Sequence, residues 1–337
     1  MTAAVLYGPE DVRIQSWDTP EAGAGEVLVR IKACGVCGTD AALYRGEYPG
    51  DVPVVIGHEF SGEVEAVGEG VSLRPGQRVT VDPNVVCHAC GYCHGGSEHL
   101  CENVSSMGVN RDGADAEYCV APASNVYPVP DGVSFEAAAF CEPLACAIHA
   151  LDLAQVRLGD TVLVLGAGGM GNLLTQCARD AGAARVVVSE PIALRRDRVL
   201  ENGATHVLDP SKQNVEKEIR SLTRIGADVV IEAAGNLEAQ TSCTSLVRKG
   251  GTVVWFGVSP QDRLVQVSPF DINENELRIL GSYNNPFATD RAVRMLAEER
   301  VRVDNLISHR IELKDYLQVF RMFGGKDTLK LMVTVGD

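Results

Sequence analysis

Four cysteines fall within fifteen residues of this chain at the spacing C-x2-C-x2-C-x7-C: Cys87, Cys90, Cys93 and Cys101. Zn²⁺ prefers a tetrahedron of soft ligands, and such short spacings allow one loop to wrap the ion. Disulfides are the alternative, but clustered cysteines in a chain without a visible secretory signal favour metal. Because four thiolates leave no open coordination position, we expect this zinc to stabilise a lobe at about residues 85–103 and not to catalyse.

A second set of metal-ligand residues is dispersed along the chain, namely Cys37, His58, Glu59 and Glu142. A catalytic zinc takes three protein ligands and leaves one position for water or substrate. Cys37, His58 and one or both carboxylates could supply those three. Asp40 is placed to accept the other ring N–H of His58. Each fragment is weak alone, since a single His-Glu pair is commonly a surface or structural feature.

A glycine-rich turn of the form G-x-G-x-x-G follows a short β-branched run and precedes a helical pattern. Gly166 permits the tight turn, Gly168 lets the backbone approach a pyrophosphate, and Gly171 lets the helix pack close to the strand. Gly169 and Met170 lie at the start of that helix, whose positive dipole end favours phosphates. The context of strand, turn and helix predicts a dinucleotide site.

Glu190 follows the next predicted strand, nineteen residues after the last glycine of the turn. A carboxylate there accepts hydrogen bonds from ribose hydroxyls and repels a 2′-phosphate, which predicts NAD over NADP. The opposing signal is a basic cluster, Arg195, Arg196 and Arg198, which could hold a phosphate. A helix would point these side chains in different directions, so we interpret them as a solvated face.

The composition narrows the class of protein. The chain has 337 residues, enough for two domains, and 45% hydrophobic residues. Its net charge of −15 argues against nucleic acid and anionic membrane surfaces as partners. No apolar run is long enough to predict a membrane span, no secretory signal is visible, and eleven cysteines suit a reducing compartment, so a cytoplasmic location is expected.

The order of predicted elements indicates an α/β protein of two domains. Short strands with Gly and Pro turns occupy residues 1–147 and predict a β-barrel-like domain. Residues 148–287 alternate strand and helix, which predicts a doubly wound parallel sheet. The tail, 288–337, returns to a helix and strand-like pieces. The predicted strands are 26–31, 62–67 and 77–81 in the first domain, and 161–165, 185–189, 206–208, 227–232, 252–256 and 278–281 in the second.

Taken together, these motifs resemble the zinc-dependent medium-chain dehydrogenases, and most of all their sorbitol (polyol) and threonine dehydrogenase branch. The resemblance covers essentially the whole chain. Glu142, within Glu-Pro-Leu, marks the branch, because liver-type alcohol dehydrogenases have a cysteine ligand there. The neighbouring Cys141 is one residue off, and we interpret it as a buried small hydrophobe.

The resemblance implies a GroES-like catalytic domain, 1–147 with the returning tail 288–337, and a Rossmann NAD-binding domain, 148–287. It implies two zinc ions per chain and, by analogy, a homodimer or homotetramer. The family contacts the nicotinamide half of the cofactor at the ends of the later strands, here Gly235, Phe256, Gly257, Val258, Ser282 and Tyr283.

The resemblance also assigns roles around the metal. Thr39 is the expected first proton acceptor, and the position where relatives often carry a relaying histidine is Ala42, so the proton exit ends in water or runs through the cofactor ribose. Asp115 stands where relatives usually carry an aromatic residue that lines the substrate pocket. It either reads a hydroxylated or amino-bearing substrate, or faces solvent.

The expected function is hydride transfer to NAD from a secondary alcohol of a polyol, cyclitol, aminocyclitol or sugar derivative, which yields a ketone. An alternative is oxidation of a hydroxy-amino acid, as in L-threonine 3-dehydrogenases. A non-catalytic nucleotide-binding scaffold is a third hypothesis, weakened by the full set of ligand residues. A zinc-free reductase of the same fold is disfavoured by Cys37 and His58.

Overall fold

The computed structural model describes residues 1–336. The strands are β1 (Thr2–Gly8), β2 (Asp11–Ser16), β3 (Glu26–Gly35), β4 (Val54–Val55), β5 (Glu59–Val67), β6 (Arg78–Val81), β7 (Asn84–Val85), β8 (Ser105–Ser106), β9 (Tyr118–Pro122), β10 (Val126–Pro128), β11 (Thr161–Leu165), β12 (Arg185–Ser189), β13 (His206–Leu208), β14 (Ala227–Glu232), β15 (Val247–Trp255), β16 (Arg278–Gly281), β17 (Ile307–Glu312) and β18 (Lys330–Thr334). The α-helices are α1 (Gly38–Tyr44), α2 (Gly91–His94), α3 (Phe135–Ala139), α4 (Cys141–Ala154), α5 (Gly169–Asp180), α6 (Ala193–Glu201), α7 (Val215–Thr223), α8 (Leu237–Leu246), α9 (Pro269–Glu274), α10 (Thr289–Ala297) and α11 (Gln318–Met322). Short 3-10 turns lie at Glu98–Leu100, Ala123–Asn125, Asp304–Leu306 and Leu313–Asp315.

The chain divides into two compact units. Unit 1 comprises residues 1–145 and 285–299 and the chain from Val303 onward, so it is discontinuous in sequence. Unit 2 comprises Cys146–Asn284 with Arg300–Arg302. Over residues 1–336, no helix is both long and apolar enough to cross a bilayer.

Unit 1 is built on a seven-stranded sheet of order β10-β6-β5-β3-β18-β17, with β9 also paired to β3. Its central strand β3 buries alternate apolar residues such as Val27, Val29 and Ile31, as expected for a strand that packs one face on a core. A three-stranded sheet, β2-β1-β4, completes the larger β structure of this unit.

The order of strands in unit 1 determines which residues meet. Strand β3 lies between β5 and β18, with Gly35 opposite Glu59 on one side and opposite Met332 on the other. Three segments that are far apart in sequence therefore lie side by side: the end of β3, the start of β5 and the start of β18.

Unit 2 contains a six-stranded parallel sheet of order β13-β12-β11-β14-β15-β16. Numbered within the unit, this is the order 3-2-1-4-5-6 of the doubly wound dinucleotide fold, as the sequence predicts. Strand β11 is buried along its whole length, which is typical of parallel strands covered by helices on both faces. The cores of β14 and β15 are likewise buried apolar runs.

The predicted strands at 161–165 and 185–189 match β11 and β12 residue for residue. In unit 1 the predicted strand 26–31 extends to Gly35, and 62–67 begins earlier, at Glu59. Both extensions run through residues that pair with each other, because ladder hydrogen bonds continue past the point where the apolar alternation stops.

Candidate functional site

Cys37, His58 and Glu59 form a cluster in unit 1 whose ligand atoms all lie within 4.8 Å of one another. Cys37 is the N-cap residue of α1, just beyond the end of β3. His58 immediately precedes β5, and Glu59 opens it. The pairing of β3 with β5 thus brings a thiol, an imidazole and a carboxyl together.

Asp40 ties this cluster to the start of α1. One of its carboxylate oxygens accepts a 2.7 Å hydrogen bond from the Cys37 N–H, and the other lies 3.2 Å from Nδ1 of His58. Asp40 is completely buried. Burial opposes protonation of His58, but the Asp40 carboxylate and the Cys37 thiol outweigh it and raise the pKa of the imidazole well above its ordinary value. The predicted approach of Asp40 to His58 is present, but the two facing atoms do not meet hydrogen-bond geometry.

Lys330, at the start of β18, forms a buried ion pair with Glu59 that sequence reasoning missed. The Lys330 and Glu59 side chains are 8% and 1% exposed. Burial alone would lower the pKa of Lys330, but the Glu59 carboxylate raises it, with smaller contributions from Cys37 and Glu142. No local motif marks this lysine, because only the pairing of β18 with β3 places it at the cluster.

Glu142 and Thr39 flank the three-residue cluster. Glu142 is in the first turn of α4, is 8% exposed, and contributes to the electrostatic field at Lys330. It does not belong to the group of ligand atoms that lie within 4.8 Å of one another in the described chain. Thr39 places its hydroxyl oxygen 3.7 Å from the Cys37 sulfur. Cys141 is a buried thiol, as predicted.

Asp115 occupies neither of the positions that the sequence suggested. Its side chain is buried inside unit 1, with 1% of the residue exposed, so the expectation that it faces solvent is wrong. Since both carboxyl oxygens are also shielded, it does not offer them to a substrate in this structure either. Asp115 lies against Gly57, where an added Cβ would stand 2.6 Å from its carboxyl carbon.

The four clustered cysteines of unit 1 converge as the spacing predicts. Their sulfur atoms lie within 4.8 Å of one another, with 3.6 Å between Cys90 and Cys93 and 3.5 Å between Cys87 and Cys101. All four are thiols. A zinc tetrahedron with Zn–S bonds of about 2.3 Å needs sulfurs about 3.8 Å apart, so the site fits the ion.

Backbone N–H groups favour the thiolate form of Cys87 and Cys90, whereas burial raises the pKa of Cys93 to about 12. The sulfur of Cys101 accepts hydrogen bonds from the N–H groups of Cys87 and Asn103, each at 3.3 Å. The backbone N–H of Ala89 leads the contacts that lower the pKa of Cys87 to about 6. Such contacts are typical of the groups that surround thiolate metal ligands.

In unit 2 the glycine-rich turn has the conformation that its residues allow. Gly166 has φ +104°, a left-handed value that favours glycine. A Cβ on Gly171 would stand 2.1 Å from the Gly166 carbonyl oxygen, whereas a Cβ on Gly168 would meet nothing within 4 Å. Asn172 was missed by sequence reasoning: its buried amide donates to the carbonyls of Ala167 and Gly168 and holds the turn.

Glu190 lies next to this turn and is 3% exposed. Its two carboxylate oxygens accept hydrogen bonds from the N–H groups of Ala167, at 2.8 Å, and Ile192, at 2.9 Å. The interpretation of the arginines as a solvated face is wrong for Arg196. Its guanidinium donates to the carbonyl of Glu190 and lies 3.3 Å from Asp209, because the start of α6 turns it back onto the loop.

The ends of β14, β15 and β16 bring together most of the residues predicted to contact the nicotinamide half. Gly235 has φ +67°, and a Cβ there would be 2.8 Å from the carbonyl oxygen of Val258. The N–H groups of Phe256 and Gly257 donate to the Glu232 carbonyl. The Ser282 N–H in turn donates to the carbonyl of Trp255, and Tyr283 beside it is half exposed.

Two sequence profiles match the chain. Residues 23–131 match the alcohol dehydrogenase GroES-like domain, and residues 169–298 match the zinc-binding dehydrogenase domain. D-arabinitol dehydrogenase 1 of Uromyces fabae is 32% identical over 99% of this chain and 97% of its own length. An L-threonine 3-dehydrogenase of Rhizobium etli is 31% identical over 99% and 98%. The structure of a zinc-binding dehydrogenase from Sinorhizobium meliloti bound to NADP is 40% identical, with a TM-score of 0.97 over 99% and 98% of the two chains.

The fold and these likenesses define a zinc-type alcohol dehydrogenase with a nucleotide cofactor. The chain belongs to the zinc-dependent medium-chain dehydrogenases, in the branch that includes polyol and threonine dehydrogenases, as its motifs predict.

Proposed function

We propose that this enzyme oxidises a secondary alcohol of a polyol, cyclitol, aminocyclitol or sugar derivative to a ketone with NAD as the hydride acceptor. The observation that carries the proposal is the cluster of Cys37, His58 and Glu59 within 4.8 Å, in a chain that also has a dinucleotide turn. Hydroxylated substrates are favoured by the polyol dehydrogenases among its relatives.

The residues of the cluster fit a zinc ion. They comprise one thiol, one imidazole and one carboxyl, which matches the three protein ligands of a catalytic site. The second ring nitrogen of His58 is directed at Asp40, an arrangement that leaves the other nitrogen for a metal. We propose Cys37, His58 and Glu59 as the ligands, with Glu142 as a carboxylate that exchanges with Glu59.

Lys330 can balance the negative charge when Glu59 and Glu142 exchange as ligands. In this structure its ammonium group neutralises Glu59. When Glu59 turns toward a metal, the ammonium loses that partner, and Glu142 is the other carboxylate in its field. Lys330 therefore stabilises whichever carboxylate is not a ligand.

A bound zinc supplies a Lewis acid for the alcohol oxygen, and bound NAD accepts the hydride. The chain supplies position and a path for the proton. Thr39, with its hydroxyl 3.7 Å from the Cys37 sulfur, accepts the proton of the substrate hydroxyl and passes it to solvent or to a cofactor ribose, since Ala42 offers no relay. The buried Asp40 keeps His58 in the tautomer that has a proton on Nδ1.

For the cofactor, we propose NAD with Glu190 as the determinant. Both carboxylate oxygens are held in place by backbone N–H groups, and each keeps a lone pair for a ribose hydroxyl. NADP is the second candidate, since the Sinorhizobium meliloti relative is bound to it. The cluster of Arg195, Arg196 and Arg198 is the part of this chain that would pair with a 2′-phosphate.

The test is a panel of polyols, cyclitols, aminocyclitols and L-threonine, each with NAD and NADP, followed by the absorbance of the reduced cofactor. The proposal expects turnover with a hydroxylated substrate. Thr39→Ser should keep most of that turnover, while Thr39→Val, which matches threonine in shape but lacks the hydroxyl, should lose it. Turnover of L-threonine alone would favour the hydroxy-amino acid alternative, and no turnover in a zinc-replete preparation would contradict the proposal.

A further inference from the structure

The carboxyl group of Asp115 is buried in unit 1, and neither oxygen has a partner at full hydrogen-bond geometry among the described residues, although the Tyr316 hydroxyl and the Cys34 thiol lie close to it. Ala114 and Ala116 on either side are also fully buried, so this stretch of the chain lies inside unit 1. Burial of an unsatisfied polar group is costly, and native proteins keep few of them. A group retained at such a cost is a candidate for a role in function.

The backbone holds Asp115 firmly in this place. Its N–H donates to the Ile56 carbonyl, and its carbonyl accepts from the Ala4 N–H, both at 2.8 Å. The first bond links it to the segment that leads into His58, and the second links it to β1. The side chain then lies on Gly57, whose φ of +93° and lack of a Cβ leave room for it.

Asp115 also has polar neighbours outside the group of Cys37, His58 and Glu59. The Tyr316 hydroxyl and the Cys34 thiol interact with its carboxyl, and both residues are fully buried. The Tyr316 ring is held edge-on against Phe320, at 5.7 Å between centroids. Asp115 is also in the electrostatic field of Asp40 and His58.

We propose that Asp115, supported by Tyr316, is a positioning residue that holds Gly57 and the Asp40–His58 contact in the geometry needed for metal binding. The inference rests on the proposed catalytic metal site, and it assigns Asp115 a task behind His58 instead of in the substrate pocket.

Burial, followed by the charge of Asp40, raises the pKa of Asp115 well above its ordinary value. Asparagine matches this side chain in shape, whereas alanine removes it.

The experiment measures zinc release from the full-length, zinc-loaded enzyme to a chromophoric chelator. Zinc at the four-cysteine lobe serves as an internal reference, because Asp115 is not part of that lobe. Asp115→Ala should weaken zinc retention at the second site by about tenfold to a hundredfold, the range found when groups behind metal ligands are removed. Asp115→Asn, which keeps the shape and a donor, should restore retention close to the wild-type value.

Tyr316→Phe removes only the hydroxyl and should likewise weaken zinc retention at the second site. Tyr127→Phe is its matched control, because the charged neighbours of Tyr127 are Asp82, Glu98 and Asp290, outside the cluster. Wild-type retention in Asp115→Ala would overturn the proposal, as would an Asp115→Asn variant that is as weak as the alanine variant. A wild type that holds zinc in the lobe alone would overturn this inference together with the proposed function.

Discussion

The buried ion pair between Lys330 and Glu59 leads to a quantitative prediction. Substitution of Lys330 by Met leaves Glu59, which is 1% exposed, as a buried carboxylate without its cation. Removal of one partner of a buried pair costs about 3–5 kcal/mol. For a domain of 150–250 residues this corresponds to a fall in Tm of about 6–20 °C, since each kcal/mol shifts Tm by about 2–4 °C.

The loss should depend on the metal. In zinc-free protein the carboxylate has no alternative cation, and we expect the whole penalty. In zinc-loaded protein the ion replaces the ammonium group as the partner of Glu59, and the carboxylate left without the ammonium is Glu142, which is less deeply buried than Glu59. The difference between Lys330→Met and wild type should therefore shrink without disappearing. Differential scanning calorimetry of both forms, prepared by dialysis with and without chelator, measures the two differences directly.

Two controls separate this pair from a general effect of losing a lysine. Lys314 pairs with Glu312 on the surface, with side chains 71% and 64% exposed, and Lys314→Met should change Tm little because exposed pairs contribute about 0–1 kcal/mol. In the double variant Lys330→Met with Glu59→Gln, the buried charge is gone, so most of the loss should be recovered. A zinc-free Lys330→Met protein as stable as the wild type would refute the reasoning, and so would additive effects in the double variant.

Three further predictions concern the metal and cofactor sites. Elemental analysis should find two zinc ions per chain. Cys37→Ser should lose one ion and all turnover while the fold persists. Cys90→Ser should lose the other ion and destabilise the four-cysteine lobe, because metal binding and local folding are coupled. One ion or none in active protein would contradict this. The ratio of kcat/KM with NAD to that with NADP should exceed one and fall in Glu190→Ala; a wild type that prefers NADP would make the arginines the determinant. Gly168→Ala should keep the wild-type Tm, since a Cβ there meets open space, but it should weaken NAD binding measured by calorimetry. Gly171→Ala should lower the Tm, because its Cβ would overlap the backbone. Equal Tm values for the two variants would show that the turn adjusts.

The local sequence predicted a structural feature well where the residues that form the feature are close together along the chain. The four cysteines of the lobe lie on one loop, so their spacing alone predicted their convergence. The glycine turn combines a strand, a left-handed Gly166 and a helix within a few residues, and each part has its own local signature. The parallel strands β11 and β12 were also predicted to the residue, since a buried apolar run between turn residues leaves little ambiguity.

Residues that act through distant partners were beyond local reasoning. The comparison of Asp115 with the aromatic residue that relatives carry at its position says nothing about the burial of this carboxyl. Arg196 was expected on an open helix face, although the loop before α6 offers it two carbonyls and the carboxylate of Asp209. In both cases the competing partner comes from another element or from a turn whose path the sequence does not reveal.

The sequence by itself therefore determined the class of this protein: the ligand residues, the dinucleotide turn, the succession of strands and helices along the chain, and the likeness to zinc-dependent dehydrogenases. Only the tertiary structure decided that Lys330 neutralises Glu59 and that Asp115 is buried against Gly57. The physical reason is that ligand types and turn geometry are local properties of the chain. The partner of a buried charge depends instead on which strands become neighbours, and β18 reaches β3 only when the end of the chain pairs with its beginning.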